Sequence, residues 1–212
     1  MKLIDMKVIE FINEVDSKAV TPGGGSVSAL ASSIGVALIR MVGHVSVNKK
    51  KFKALNTDIQ EKYNSIIENI ETIKNELIEL VDKDTDAFNL IMAAYKLPKE
   101  TTDEKALRKQ AILEGTIEAI KVPYRVAEIS LLALKEINYV LEHGNINAAS
   151  DIGVGAIMLY AGIEGSLLNV KINLPGLVDE EMINFYNANS KKILTDSKLL
   201  KEIIIEKVKT KL

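Results

Sequence analysis

The 212 residues carry 27 Lys and Arg against 29 Asp and Glu, a net charge of −2, and 47% of them are apolar. That balance excludes a disordered chain and a broad nucleic-acid-binding surface, and the length suits one domain over residues 1–212. Cysteine and tryptophan are absent, which excludes disulfides, thiolate metal ligands and a cysteine nucleophile, and leaves Ile, Leu, Val, Ala and Met to build the core.

Helical periodicity dominates and no strand pattern emerges, so the chain reads as all-α, a single-domain bundle of long helices. The opening MKLIDMKVIEF lacks the continuous apolar run of a secretory leader. Asp5 is placed to cap a first helix with Val8, Ile9, Ile12 and Val15 on one face. Pro22 and three glycines then punctuate the chain. A second helix starts near Ser26, with Val27, Leu30, Ile34, Leu38 and Met41 on one side. On another side Ser28, Ser32 and Gly35 leave room for a helix to approach closely. The run Asn48-Lys49-Lys50-Lys51-Phe52-Lys53 reads as a solvated loop or a helix start.

A long helix follows from about Leu55 to Tyr95, ended by Leu97-Pro98. Thr101 and Glu104 form a capping box for the next helix, which runs toward His143 and is predicted to kink or split at Pro123. Asn145 to Ser150 is a polar loop. An apolar helix over about Asp151 to Val170 contains Gly153, Gly155, Gly162 and Gly165, each costing roughly 1 kcal/mol against Ala in a helix interior. Such density implies tight helix packing or a ligand against the backbone. After a Pro175-Gly176 turn, two short helices are predicted, over 179–189 and 196–209. The two most apolar stretches, Ser26–Val42 and Ile152–Val170, are interrupted by Arg40 and Glu164 and do not read as membrane spans. The expected location is the cytoplasm, with neither a membrane nor a nucleic acid as partner.

Chemistry is suggested in three places. Leu77, Val81, Asp84, Phe88, Ile91 and Tyr95 fall on one helical face, and Asp84 is its sole charge. A carboxylate on a core-facing stripe needs a partner, water or a cation. It either pairs with a buried Arg, Lys or helix end, or carries chemistry. Asp82 and Asp86 lie off the stripe and read as surface residues. In GNINAASDIGVGA, Asn145, Asn147, Ser150 and Asp151 gather at a helix start; they either cap it or make a polar pocket for a heterocycle. The glycine loop TPGGGSVSAL lacks the GK[ST] ending of a nucleotide-binding loop but leads into a helix N-terminus. His44 and His143 suggest neither a metal site nor a triad, and both read as structural or surface residues.

Taken together, TPGGGSVSAL, DTDAFNLIMAAYKLPKET with RKQAI and VPYRVAE, and GNINAASDIGVGA with NVKINL resemble the cyclodeaminase family. This is the family of the C-terminal domain of formiminotransferase–cyclodeaminase and of stand-alone methenyltetrahydrofolate cyclohydrolases. The likeness runs from about Asp5 to Lys207. The formiminotransferase half has no counterpart in these residues, so the likeness is to the stand-alone form. The segment GHVSVNKKK departs from the family's Thr-Gly-Lys-Lys-like version.

The resemblance implies an all-helical homodimer with a tetrahydrofolate derivative bound near the glycine loop. Either folate N10 attacks a formimino carbon and ammonia leaves, or water opens the methenyl ring. On that reading Asp84, and after it Asp151, are the catalytic carboxylates, steadying the amidinium-like bridge and moving a proton. Asn145 and Asn147 meet the pterin edge. Gly23, Gly24, Gly25 and Ser26 form the loop against the ligand. Lys99 and Arg108 meet the glutamate carboxylates. No metal and no cofactor beyond the tetrahydrofolate substrate is expected, because the carbon is already electrophilic. Two other readings compete: a helical assembly protein whose glycines serve subunit packing, and a carrier that binds folate without turnover.

Overall fold

The computed structural model describes residues 2–212. A single 3-10 turn, Leu3–Asp5, precedes α1 (Val8–Val15), α2 (Gly24–Val47), the one-turn α3 (Lys50–Lys53), α4 (Thr57–Tyr95), α5 (Thr102–His143), α6 (Ala149–Asn173) and α7 (Glu180–Lys209). Helices α2, α4, α5 and α6 form a closed square, each packed on the next, and α7 lies against α5 and α6. Every neighbouring pair in the square is antiparallel. Ser26 meets Asp84 at one end of the α2–α4 pair and Arg40 bonds Glu71 toward the other. Arg125 bonds Glu76 across α4–α5. Asn173 meets Ala119 across α5–α6.

The expected close approach at the small face of α2 is present. A Cβ on Gly162 would sit 2.7 Å from the Ser28 carbonyl oxygen, and one on Gly35 would sit 2.8 Å from that of Gly155. The glycines of α6 thus serve helix packing, and Gly153 makes room for Val208 of α7. Ser130 and Ser32 share a hydrogen bond of 2.8 Å inside the square. The core is aliphatic, with Ile39, Ile70, Leu77, Ile120, Leu134 and Leu159 fully buried.

Several expectations are corrected. Asp5 does not cap α1: Lys7 precedes the helix, and its N–H donates to the Glu10 carboxylate. The apolar face grouped on α1 turns to the surface: Val8, Ile9, Ile12 and Val15 are exposed and only Phe11 is buried. Likewise the large apolar side of α2, with Val27, Ile34 and Met41, is exposed while its small side is buried. Pro123 does not split α5. A proline cannot donate to the carbonyl four residues back, yet the Ala119 carbonyl oxygen is met at 3.2 Å by the Asn173 side-chain amide. The donor missing from α5 is supplied by α6, and α5 continues to His143. The two predicted C-terminal helices are one, α7, capped by Asp179 accepting the Met182 N–H at 3.0 Å.

Two helical segments, Gly24–Val47 and Ile146–Gly176, are long and apolar enough to cross a membrane, and about half of each is buried inside the protein. Both belong to the square, where apolar composition serves the core.

Candidate active site

Helices α4 and α5 are much longer than α2. At about 1.5 Å per residue, α4 rises about 16 Å from Asp84 to Tyr95, beyond the point where α2 begins. The α4–α5 hairpin therefore stands above the start of α2 and the end of α6 and makes a step. Asp84 lies at the foot of that step.

Among the partners open to it, Asp84 takes a helix end. Its Oδ2 accepts the Ser26 backbone N–H at 2.8 Å and lies 3.2 Å from Ser26 Oγ. That hydroxyl is fully buried and also reaches the Val81 carbonyl oxygen at 2.8 Å. Burial pushes the Asp84 carboxyl above the ordinary carboxylate range, and the two Ser26 bonds oppose the rise without cancelling it. No cation pairs with it among the described residues. Asp82, read as a surface residue, instead accepts the Leu3 N–H at 2.6 Å and ties the N-terminal turn to α4.

The glycines of the loop have a steric purpose. None has a positive φ, so backbone freedom is not the reason for them. A Cβ on Gly25 would overlap all three carboxylate atoms of Asp84, the farthest of them only 2.6 Å away. A Cβ on Gly24 would lie 3.2 Å from Asn169 Nδ2, while one on Gly23 would meet only the Val20 carbonyl at 3.6 Å. Bare backbone thus lets a carboxylate and an amide stand against the first turn of α2, one on either side. Gly24 remains exposed and Gly25 and Ser26 are buried.

Lys99 and Arg108 lie at the top of the step. They line a cavity of about 280 Å³ with Lys105, Lys109, Ile112 and Val178, and no carboxylate contributes to its wall. The Arg108 guanidinium lies 5.5 Å from the Tyr95 ring centre and donates to the Tyr95 carbonyl oxygen, while its buried Nε has no partner.

Asn145, Asn147 and Asp151 do not join this site within one subunit. The Asn145 N–H donates to Ser46 Oγ at 2.7 Å, at the far end of α2. Ser46 is about 30 Å from Ser26 along the helix. Asn145 also accepts the Asn147 N–H at 3.2 Å, which is the capping role, and Asp151 occupies the first turn of α6 at that same end. His143 packs against Tyr139, 4.4 Å between ring centres, and His44 is exposed. Among the described residues no three His, Cys, Asp or Glu converge as a metal site would require. Asn169 was not singled out from the sequence. Its signal was the helical spacing Gly165, Asn169, Asn173 within GSLLNVKIN, which lets each amide bond back one turn.

The assembled loop, carboxylate and basic cavity can be set beside known proteins. Residues 7–192 match the family described as formiminotransferase-cyclodeaminase. The chain belongs to that family. A methenyltetrahydrofolate cyclohydrolase of Methylorubrum extorquens is 33% identical over 201 residues, covering 95% of each chain. A formimidoyltransferase-cyclodeaminase of Gallus gallus is 37% identical over 171 residues, 81% of this chain but 31% of that protein. The chain thus spans nearly all of the first relative and about a third of the second. The crystal structure of a formiminotetrahydrofolate cyclodeaminase from Thermotoga maritima, 28% identical, superposes with a TM-score of 0.77 over 98% of this chain and 96% of that one. The all-helical architecture is therefore that of a solved family member.

Proposed function

We propose that this chain is a folate one-carbon enzyme acting at the bridge between N5 and N10 of tetrahydrofolate, as a cyclohydrolase or a cyclodeaminase. The observation that carries the reading is Asp84: a desolvated carboxylate with a raised pKa, held by a backbone N–H in a loop stripped of side chains. In the hydrolytic direction a water oxygen bonds to the methenyl carbon and gives up a proton. The bond from that carbon to N5 then breaks as N5 takes a proton and the hydroxyl gives up its second one, leaving a formyl group on N10 and one proton released overall. In the deaminating direction N10 bonds to the formimino carbon, its proton and one more pass to the departing nitrogen, and the bond to that nitrogen breaks, releasing ammonia and leaving the methenyl cation. The cationic bridge, substrate of the first reaction and product of the second, is stabilised by a nearby carboxylate, and both reactions need protons moved at that centre. A raised carboxylate pKa brings such transfer closer to neutral working conditions. The carbon is electrophilic already, so no cofactor beyond the folate is invoked.

In this reading the glycine loop receives the pterin end, and the basic cavity about 16 Å up the step receives the glutamate carboxylates through Lys99 and Arg108. The protein works in the cytoplasm as a homodimer. The dimer is supported by the exposed apolar side chains along α2 (Val27, Ile34, Met41) and α6 (Val154, Ile157, Leu168), which solvent disfavours. Asn145, Asn147 and Asp151 then reach a folate only in the cleft of the second copy. The experiment is direct: purified protein either consumes the methenyl chromophore, or forms it from formiminotetrahydrofolate with release of ammonia. Protein that is folded and dimeric but does neither refutes the proposal.

A further inference from the structure

Asp84 stands on one side of the first turn of α2 and Asn169 on the other, and nothing above gives Asn169 a task. Its side chain is clamped. Nδ2 donates to the Gly165 carbonyl oxygen at 2.9 Å, which fixes which way the amide faces. One turn further on, Asn173 Nδ2 donates both to the Asn169 carbonyl oxygen at 2.9 Å and to the Ala119 carbonyl oxygen at 3.2 Å. The second bond exists because Pro123 leaves that oxygen without its helical donor. The end of α6 is thereby pinned to α5 at the turn where α5 lacks a bond of its own, and Asn169 is held one turn away.

The other half of the amide is unused. Among the described residues no donor meets Asn169 Oδ1, although the side chain is half-buried and lies against Gly24. A Cβ on Gly24 would come within 3.6 Å of that oxygen. The glycine keeps the space in front of the amide open. An acceptor that is oriented and meets no protein donor, beside a bare helix turn, is a recognition element for an N–H donor.

We infer that Asn169 is a specificity-determining residue, accepting a hydrogen bond through Oδ1 from an N–H of a flat heterocycle laid over Gly23 and Gly24. Asn173 is its positioning residue. The inference rests on the folate reading and deepens it. The ring N–H and amino groups of a pterin are the donors such an oxygen selects. Asn169 stands against Gly24 and Asp84 against the adjacent Gly25, so a fused two-ring ligand laid on that turn meets both walls. Asn169 reads the ring edge while Asp84 serves the one-carbon bridge.

The test crosses protein variants with ligand variants. Steady-state rates and binding are measured for the full chain, Asn169→Leu and Asp84→Asn, using the natural substrate and an analogue whose pterin donors are blocked by methylation. Asn169→Leu is expected to raise KM about tenfold, the loss of one buried hydrogen bond, with kcat within about threefold. It is also expected to lose most of the preference for the natural substrate over the methylated analogue. Asp84→Asn is expected to lower kcat and keep that preference. If Asn169→Leu does not fold, Asn169→Ser withdraws the oxygen without adding bulk and carries the same expectation. A folded variant with unchanged KM and unchanged preference overturns the role of Asn169 while leaving the folate reading intact. An unaltered protein that neither binds nor converts folate removes both.

Discussion

Replacing Gly25 with alanine probes the link between the glycine loop and the carboxylate. Two effects oppose each other. Alanine favours a helix over glycine by roughly 1 kcal/mol, and the backbone at Gly25 has no positive φ to forbid it. Against this, the added carbon occupies the place of the Asp84 carboxylate. Asp84 then has to swing away and break the bond to the Ser26 N–H, worth about 1.5–3 kcal/mol for a charged acceptor. The net result is a destabilisation of about 0.5–2 kcal/mol, read as a fall in Tm of about 1–8 °C for a chain of this size. Activity should fall much further, by about a hundredfold, because a shift of about 1 Å in a reacting group costs that much. Melting followed by circular dichroism and turnover of the methenyl chromophore measure the two effects. Gly24→Ala, with its tighter neighbour at 3.2 Å, should fall between Gly25→Ala and a near-neutral Gly23→Ala, whose added carbon meets only ordinary contact. A Gly25→Ala protein that turns over at the normal rate would show that Asp84 is not held where the reaction occurs.

Four further outcomes follow from particular contacts. Asp84 titrates above its unfolded value of about 3.9, so the folded state binds that proton more tightly. Its contribution to stability is present below about pH 4 and is lost as pH rises through the folded pKa. Asp84→Asn should therefore melt at or above the wild-type temperature at neutral pH while losing most of its activity. If Asp84 is the base, wild-type kcat/KM should fall as pH drops through that same raised pKa. Asn173→Leu orphans the buried Ala119 carbonyl oxygen and should cost about 1–3 kcal/mol in denaturant melts. Pro123→Ala restores a backbone donor to that oxygen, so the double variant should recover about 1 kcal/mol relative to the sum of the singles. Arg108→Ala and Lys99→Ala should raise KM for a glutamate-bearing folate, more at low salt than at high, and leave a tail-less pterin substrate unaffected. Ile34→Glu, on the exposed side of α2, should yield a monomer by sedimentation; an unchanged dimer would place the interface elsewhere.

The family was legible because its motifs are short runs whose residue types are tied to local needs: glycines where two groups crowd a helix start, a carboxylate breaking an apolar stripe, a capping box before a long helix. Helix content and most helix ends were legible for the same reason, since periodicity, prolines and caps act within a turn or two. Which face meets what was not legible. Periodicity groups the apolar sides of α1 and α2 on one face each without assigning them to core or solvent; they are exposed, because the square closes through the small residues of α2, where backbones approach closely. Pro123 looked like a break and is not, because the Ala119 carbonyl it leaves without a donor is satisfied by the side-chain amide of Asn173 on another helix. The resemblance groups Asn145, Asn147 and Asp151 with Asp84 as site residues without regard to subunit; within one subunit they lie at the opposite end of α2. Hydrogen bonds inside a turn can be read along a chain. Those between helices depend on the direction and register in which the helices pack, and it was that antiparallel register that brought Asp84, Gly25, Gly24 and Asn169 to one place.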